Sequence, residues 1–303
     1  MAGSFKVALA LGGGGVRGLA HLGVFKALEE ANIPINLIVG TSMGGIIGGI
    51  YALAGKTSRI EPRLLGLLKR DEIIKLEAFA GESRPAEKRM LVEKLAHFVK
   101  DLVIWNLKGL KRALVNGGPI KNLIQELIKD SGFSQTKIPF ACIACDLKTG
   151  DEVILNKGRM LEAIMASSAM PGVFEPVYLQ GRFLIDGGIT SEIPIEAARK
   201  LGADFVIAIN VEQNIFHSNF RHGMDILFQS DEIRCHELIR MKLQLADFVI
   251  RPRVENYSWA AFSKSQDCIQ EGERAARQME NALKTAIAKR KRVRLLKKCF
   301  FIK

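Results

Sequence analysis

Runs of apolar residues without polar alternation recur along the chain, each leading into a segment with helical spacing. "KVALAL" breaks into glycines and continues as "RGLAHLGVFKALEEAN", and "PINLIVG" continues as "SMGGIIGGIYALAG". A strand apolar on both faces is one covered on both faces, and strand followed by helix is the unit of a parallel sheet. Further strands are predicted at "KIPFACIACDL", "DEVILN", "RFLIDGG", "FVIAINV" and "ADFVIRP". The pattern therefore predicts an α/β fold: three layers, α/β/α, around a central and mostly parallel sheet.

Between Lys56 and Gly118 no strand is predicted. "MLVEKLAHFVKDLVIWNLKGLKRALV" is rich in helix formers, so 56–118 reads as a helical excursion, either a lid or a layer packed on the sheet. The uncharged stretch from Ala31 to Gly55 is long enough to suggest a membrane span. It holds Pro34, Asn36 and a series of glycines, and divides into strand, turn and helix, so it reads as core. One domain over 5–288 and a basic tail over 289–303 are expected.

At 303 residues and 48% hydrophobic composition the chain can build a sizeable core. The net charge of +12 is unevenly placed: the tail "KRKRVRLLKKCFFIK" carries eight Lys or Arg and no acid, which leaves +4 for the rest. An odd set of five cysteines without framework spacing points to a reducing compartment. Cys142 and Cys145 form a CxxC on a predicted strand, where an offset of three sends side chains to opposite faces, so neither pairing nor chelation is expected. No signal peptide is read at the N-terminus. A cytoplasmic location is expected, with docking of the basic tail on the inner face of a membrane.

Two readings compete for the glycine loop "LGGGGVRG". Gly13, Gly15 and Gly18 satisfy GxGxxG, which would rest a dinucleotide pyrophosphate on a helix N-terminus. The same amides can face the oxyanion of an acyl-transfer intermediate. A dinucleotide site needs an acid roughly 20 residues on, after the second strand. That strand instead ends in "GTSMG", a GxSxG from Gly40 to Gly44 between strand and helix, the setting of a nucleophile elbow with Ser42 at the turn. Gly44 and the glycines that follow it also suit close packing of helix on sheet. A serine needs a base, and Asp186 ends a predicted strand in "GRFLIDGGIT", followed by Gly187 and Gly188. Glycine loop, GxSxG and DGG all fall at the edge where open α/β sheets bind ligands.

These stretches, with "ASSAMPGVFEPV" and "LIDGGITSEIPIEAARKLGAD", resemble the patatin-like phospholipases, in particular their compact bacterial members. The resemblance covers roughly residues 5–280. It implies a Ser42–Asp186 catalytic dyad without histidine, an oxyanion hole from the amides of Gly13, Gly14 and Gly15, and Arg17 as the arginine of the glycine motif. Near a helix N-terminus Arg17 opposes the dipole, so a role with an acid or an anionic headgroup is weighed against plain surface exposure. The implied reaction releases fatty acid from a lipid ester through an acyl-enzyme, with neither cofactor nor metal.

An α/β-hydrolase triad would need a histidine after Asp186; His217, His222 and His236 follow it, none in an evident loop after a final strand. Ser134 to Lys137 and "KTG" at 148–150 sit too close together for a β-lactamase pattern. A non-catalytic acyl-binding protein would not need both Ser42 and Asp186. Apolar residues interleave with the basic ones in the tail, which suits an anionic membrane surface better than nucleic acid, for which no motif is present.

Overall fold

The computed structural model describes residues 4–79, 118–215 and 223–300. Its sheet has eight strands: β1 Val7–Leu11, β2 Leu37–Thr41, β3 Phe140–Asp146, β4 Glu152–Leu155, β5 Val177–Leu179, β6 Arg182–Asp186, β7 Phe205–Ile209 and β8 Phe248–Ile250. They connect in the order β5-β6-β3-β2-β1-β7-β8, with β4 also on β3. β3-β2-β1-β7-β8 are parallel, as the strand-helix alternation predicts, while β4, β5 and β6 add antiparallel pairs. β5 escaped prediction: it is three residues long and joins β6 through a tight turn, with Gln180 and Gly181 both at positive φ.

The apolar runs are explained by two cores. Val7, Leu9 and Leu11 of β1 point to one face, where they meet α1 Ala20–Glu30, α2 Met43–Ala54 and α10 Ser265–Phe300. Ala8 and Ala10 point to the other, against α8 Ile195–Lys200 and α9 Gly223–Leu243. β7 divides in the same way, Phe205 and Ile207 against Val206 and Ala208. Of the excursion, α3 Glu61–Leu68 and α4 Asp71–Phe79 precede the undescribed 80–117, and α5 Gly118–Ile128 returns to the core through Ile124 and Ile128. Whether 56–118 as a whole forms a lid lies outside the described residues. α6 Met160–Ser167 and the single turn α7 Gly188–Ser191 complete the helices used below.

The edge of β3 sets the site. Cys142 and Ile143 pair with β2 on one edge and β4 on the other; Ala144 and Cys145 pair with β4 and β6. A strand has two edges, so β2 and β6 lie end to end along the same one, running toward each other. β2 stops at Thr41 opposite Ile143, and β6 stops at Asp186 opposite Ala144. Residues 42 and 186 must therefore meet.

Up to Phe300 the basic end of the chain continues a helix. α10 runs unbroken from Ser265 to Phe300, across the boundary expected at 289. Arg294 pairs with Asp204 at 2.7 Å, and Arg290 donates to the Asp204 carbonyl at 3.3 Å. Lys291 and Arg294 lie over the Phe5 ring. These partners precede β1 and β7, at the opposite edge of the sheet from Ser42. Among the described residues, no helix is long and apolar enough to cross a membrane.

Candidate active site

Ser42 stands between β2 and α2 with φ 52° and ψ −120°, a left-handed conformation that a side-chain-bearing residue adopts only under constraint. Gly40 and Gly44 permit it. A Cβ on Gly40 would drive into the Gly44 carbonyl, and one on Gly44 into the carbonyls of Leu11 and Gly12. The elbow is thus packed directly against the glycine loop. Ser42 N–H donates to Ser167 Oγ at 3.0 Å, and Thr41 Oγ1 to the Ser191 carbonyl at 2.7 Å.

Asp186 is 6% exposed and accepts a hydrogen bond from Gly188 N–H at 2.8 Å, and the neighbouring Ser42 hydroxyl favours its charged form. Its own N–H donates to the Ala169 carbonyl at 2.9 Å. Burial pushes its pKa up to about 6, against the pull of the Gly188 N–H and the Ser42 hydroxyl. Gly187 has no room for a side chain because the Ile143 carbonyl lies against it. Ser167 and Ala169 give "ASSAMPG" a function that its sequence alone did not disclose: it braces both ends of the Ser42–Asp186 contact.

The glycine loop differs from expectation at one residue. Gly13 N–H donates to the Glu192 carbonyl at 3.1 Å, so it is not free for a ligand. Gly14 and Gly15, both at positive φ, have no acceptor for their N–H groups among the described residues. They open a 3-10 turn, Gly15–Leu19, that runs straight into α1, and the positive end of that helical run faces the site. Gly18 leaves space for the Met43 side chain, 2.5 Å from where a Cβ would stand.

Arg17 is buried, at 7% exposure, which corrects the reading of plain surface exposure. Nor does it bond an acid: Nε donates to the Val211 carbonyl, and Nη1 to Gln213 Oε1 and the Tyr257 carbonyl. It ties the glycine loop to the segments that follow β7 and β8. Burial lowers its pKa below the ordinary guanidinium range, partly offset by Glu192, Cys268, Glu232 and Glu212.

Ser42 lies at the junction of two cavities. One, of about 120 Å³, is lined by apolar side chains such as Leu19, Ile46, Leu68, Ile73 and Phe174. The other, the polar cavity, of about 370 Å³, gathers the polar and charged side chains of Arg17, Asp186, Glu192, Glu212, Arg234 and His236. α4 helps close the apolar cavity, and its Glu77 carboxylate accepts from Ser263 N–H and Oγ–H at 3.1 and 2.6 Å. Of the three histidines weighed for a triad, His217 and His222 lie outside the described residues. His236 lines the polar cavity, with Nδ1 on Glu212 Oε1 at 2.6 Å. His21 is buried beside the loop, its Nε2 on the Gly12 carbonyl at 2.7 Å, and burial holds the ring neutral down to about pH 4.

The CxxC residues behave as expected of a strand: Cys142 packs into one core between Ala141 and Ile143, which face the other. Among the described residues no group of His, Cys, Asp or Glu could hold a metal ion. "KTG" forms the β3–β4 turn, where Gly150 N–H donates to the Asp146 carbonyl.

The chain matches the family model described as Patatin-like phospholipase over residues 9–199, and it belongs to that family. An NTE family protein of Mycobacterium tuberculosis is 34% identical over 206 residues, 68% of this chain and 49% of the relative. Lysophospholipase NTE1 of Kluyveromyces lactis is 27% identical over 292 residues, 88% of this chain and 18% of the relative. The chain thus spans about half or less of the length of these curated relatives. Human GIVD cytosolic phospholipase A2, solved with methyl gamma-linolenyl fluorophosphonate, superposes with a TM-score of 0.50 at 12% identity, over 96% of this chain and 60% of the other, a likeness of fold.

Proposed function

We propose that this chain is a serine hydrolase of lipid acyl esters that works through a Ser42–Asp186 dyad. The observation that carries the reading is the end-to-end meeting of β2 and β6 on β3, which joins a strained serine to a buried carboxylate between an apolar and a polar cavity. Family membership and the lysophospholipase among the relatives support a lipid substrate.

The Ser42 Oγ–H bond breaks as Oγ bonds the ester carbonyl carbon, and the proton passes to Asp186. The carbonyl electron pair moves onto oxygen, where Gly14 and Gly15 N–H meet the charge. The carbonyl re-forms as the alkoxide leaves, protonated by Asp186, and water repeats the sequence to free the acid. The acyl chain occupies the apolar cavity, and the alcohol leaves through the polar one. A carboxylate raised to about 6 is a better base for serine than an ordinary aspartate, and it remains ionised at neutral pH.

A fluorophosphonate probe tests this. Wild type and His236→Ala are expected to be labelled, Ser42→Ala and Asp186→Asn not; equal labelling of all four sinks the assignment, and loss in His236→Ala replaces the dyad by a triad.

Anionic-membrane docking through residues 289–303 is a separate proposal, because that end of α10 faces away from Ser42. Removing them is expected to weaken binding to anionic liposomes while leaving turnover of a soluble ester intact. Unchanged liposome binding ends the docking idea; a parallel loss of soluble turnover shows that α10 acts through the fold.

A further inference from the structure

The polar cavity holds a second carboxyl, partly buried, that the acyl-transfer steps do not use. Glu192 follows α7, and its main-chain carbonyl takes the Gly13 N–H. Its side chain folds back over the same loop. A Cβ on Gly13 would stand 2.7 Å from Glu192 Oε1, and a Cβ on Gly188 would press still closer on Oε2. That second position is also 3.2 Å from Asp186 Oδ1. Glu192 and Asp186 therefore abut the same glycine, and Glu192 bridges the oxyanion loop to the turn that holds the base.

We propose that Glu192 is a positioning residue that forms a coupled carboxyl pair with Asp186 and, on ionising, makes Asp186 a stronger base toward Ser42. The proposal rests on the acyl-transfer reading above. The groups facing Glu192 come from four places: Asp186 at the end of β6, Arg17 in the 3-10 turn, Glu212 after β7 and Cys235 on α9. Burial is the main cause that lifts Glu192 to about 7, with the charge of Asp186 next; Arg17 opposes and Glu212 adds. The two carboxyls are coupled, so they titrate in two steps that belong to the pair. Ionisation of Glu192 then places two like charges beside Gly188.

The reaction relieves that repulsion. As Asp186 takes the Ser42 proton, negative charge leaves the neighbour of Glu192 and appears on the carbonyl oxygen at Gly14 and Gly15. Arg17 Nη2 stands on that side, 3.4 Å from the Cβ position of Gly14. Glu192 neither gains nor loses a proton in the step.

The test is kcat/KM for a soluble p-nitrophenyl ester across neutral pH, for wild type, Glu192→Gln, His236→Gln and Asp186→Asn, each checked for folding by circular dichroism. Wild type is expected to rise through about 6 and again, roughly three- to tenfold, through about 7. Glu192→Gln keeps the first rise and loses the second; His236→Gln keeps both. A second rise that persists in Glu192→Gln, or is lost in His236→Gln instead, overturns the proposal. So does a wild-type profile with one rise or a fall through about 7, which decides the matter even if Glu192→Gln does not fold. Asp186→Asn with wild-type rates would instead defeat the dyad reading, whatever Glu192 does.

Discussion

Asp186→Asn is expected to lower kcat by roughly a thousandfold while making the folded protein more stable at neutral pH. The amide keeps the size of the carboxylate and an oxygen for Gly188 N–H, but it cannot take a proton from Ser42. The stability gain has a different origin. Asp186 has its pKa raised by burial from 3.8 to about 6, so the folded state disfavours the charged form that the unfolded chain adopts freely. Below about pH 4 both states are protonated and nothing is lost. As pH rises from there through about 6, the wild type loses stability, up to about 3 kcal/mol for a shift of this size. Asparagine does not titrate, so its advantage is absent at about pH 4 and complete above about pH 6. Thermal melts at the two pH values, beside turnover, measure both halves. An inactive variant with no pH-dependent gain would mean that the carboxylate is not held under strain by its burial.

That opposition of sign fits the rest of the site. Ser42 is held in a left-handed backbone conformation, and Asp186 and Glu192 are two acids raised by burial. Each costs stability and is kept by its surroundings, which is the usual condition of groups arranged for chemistry. The cost is met by the two continuous cores on either side of the sheet.

The strand-turn-helix units that carry the glycine loop and Ser42 were legible in the sequence, because apolar runs and punctuating glycines are local signals. Asp186 was legible as a strand end for the same reason. What joins Ser42 to Asp186 was not: it depends on β2 and β6 sharing one edge of β3, a pairing between segments about 140 residues apart in the chain. Glu192 gave no signal, since an acid after a turn reads as solvated until the fold packs it against Gly13 and Gly188. The occupied amide of Gly13 and the buried, neutral partners of Arg17 also depend on chain segments distant in sequence. The basic end of α10 was read as a tail from its charge density. Lys, Arg and Leu are good helix formers, and Asp204 and Asp247, far back in the chain, hold its guanidinium groups.

Gly40→Ala and Gly44→Ala are expected to destabilise the protein by about 3 kcal/mol or more, although alanine is the better helix former at position 44. The added methyl group would meet backbone in each case: the Gly44 carbonyl and Gly45 nitrogen for residue 40, the Leu11 and Gly12 carbonyls for residue 44. Side chains can turn aside, but these carbonyls belong to β1, to the glycine that follows it and to the first turn of α2, and moving them moves the elbow. Folded molecules of either variant should therefore react with a fluorophosphonate at least about a hundredfold more slowly, since a displacement of about 1 Å between nucleophile and oxyanion donors is enough for that. Gly66→Ala supplies the contrast. It lies on the exposed face of α3 with nothing within 4 Å of the new methyl group, so the same substitution should stabilise by about 0.5–1 kcal/mol and leave labelling unchanged. Calorimetry on the three variants separates the two causes. If all three behaved alike, the glycines of GxSxG would act through backbone freedom in the unfolded chain; opposite signs would show that they act through the contact between elbow and glycine loop.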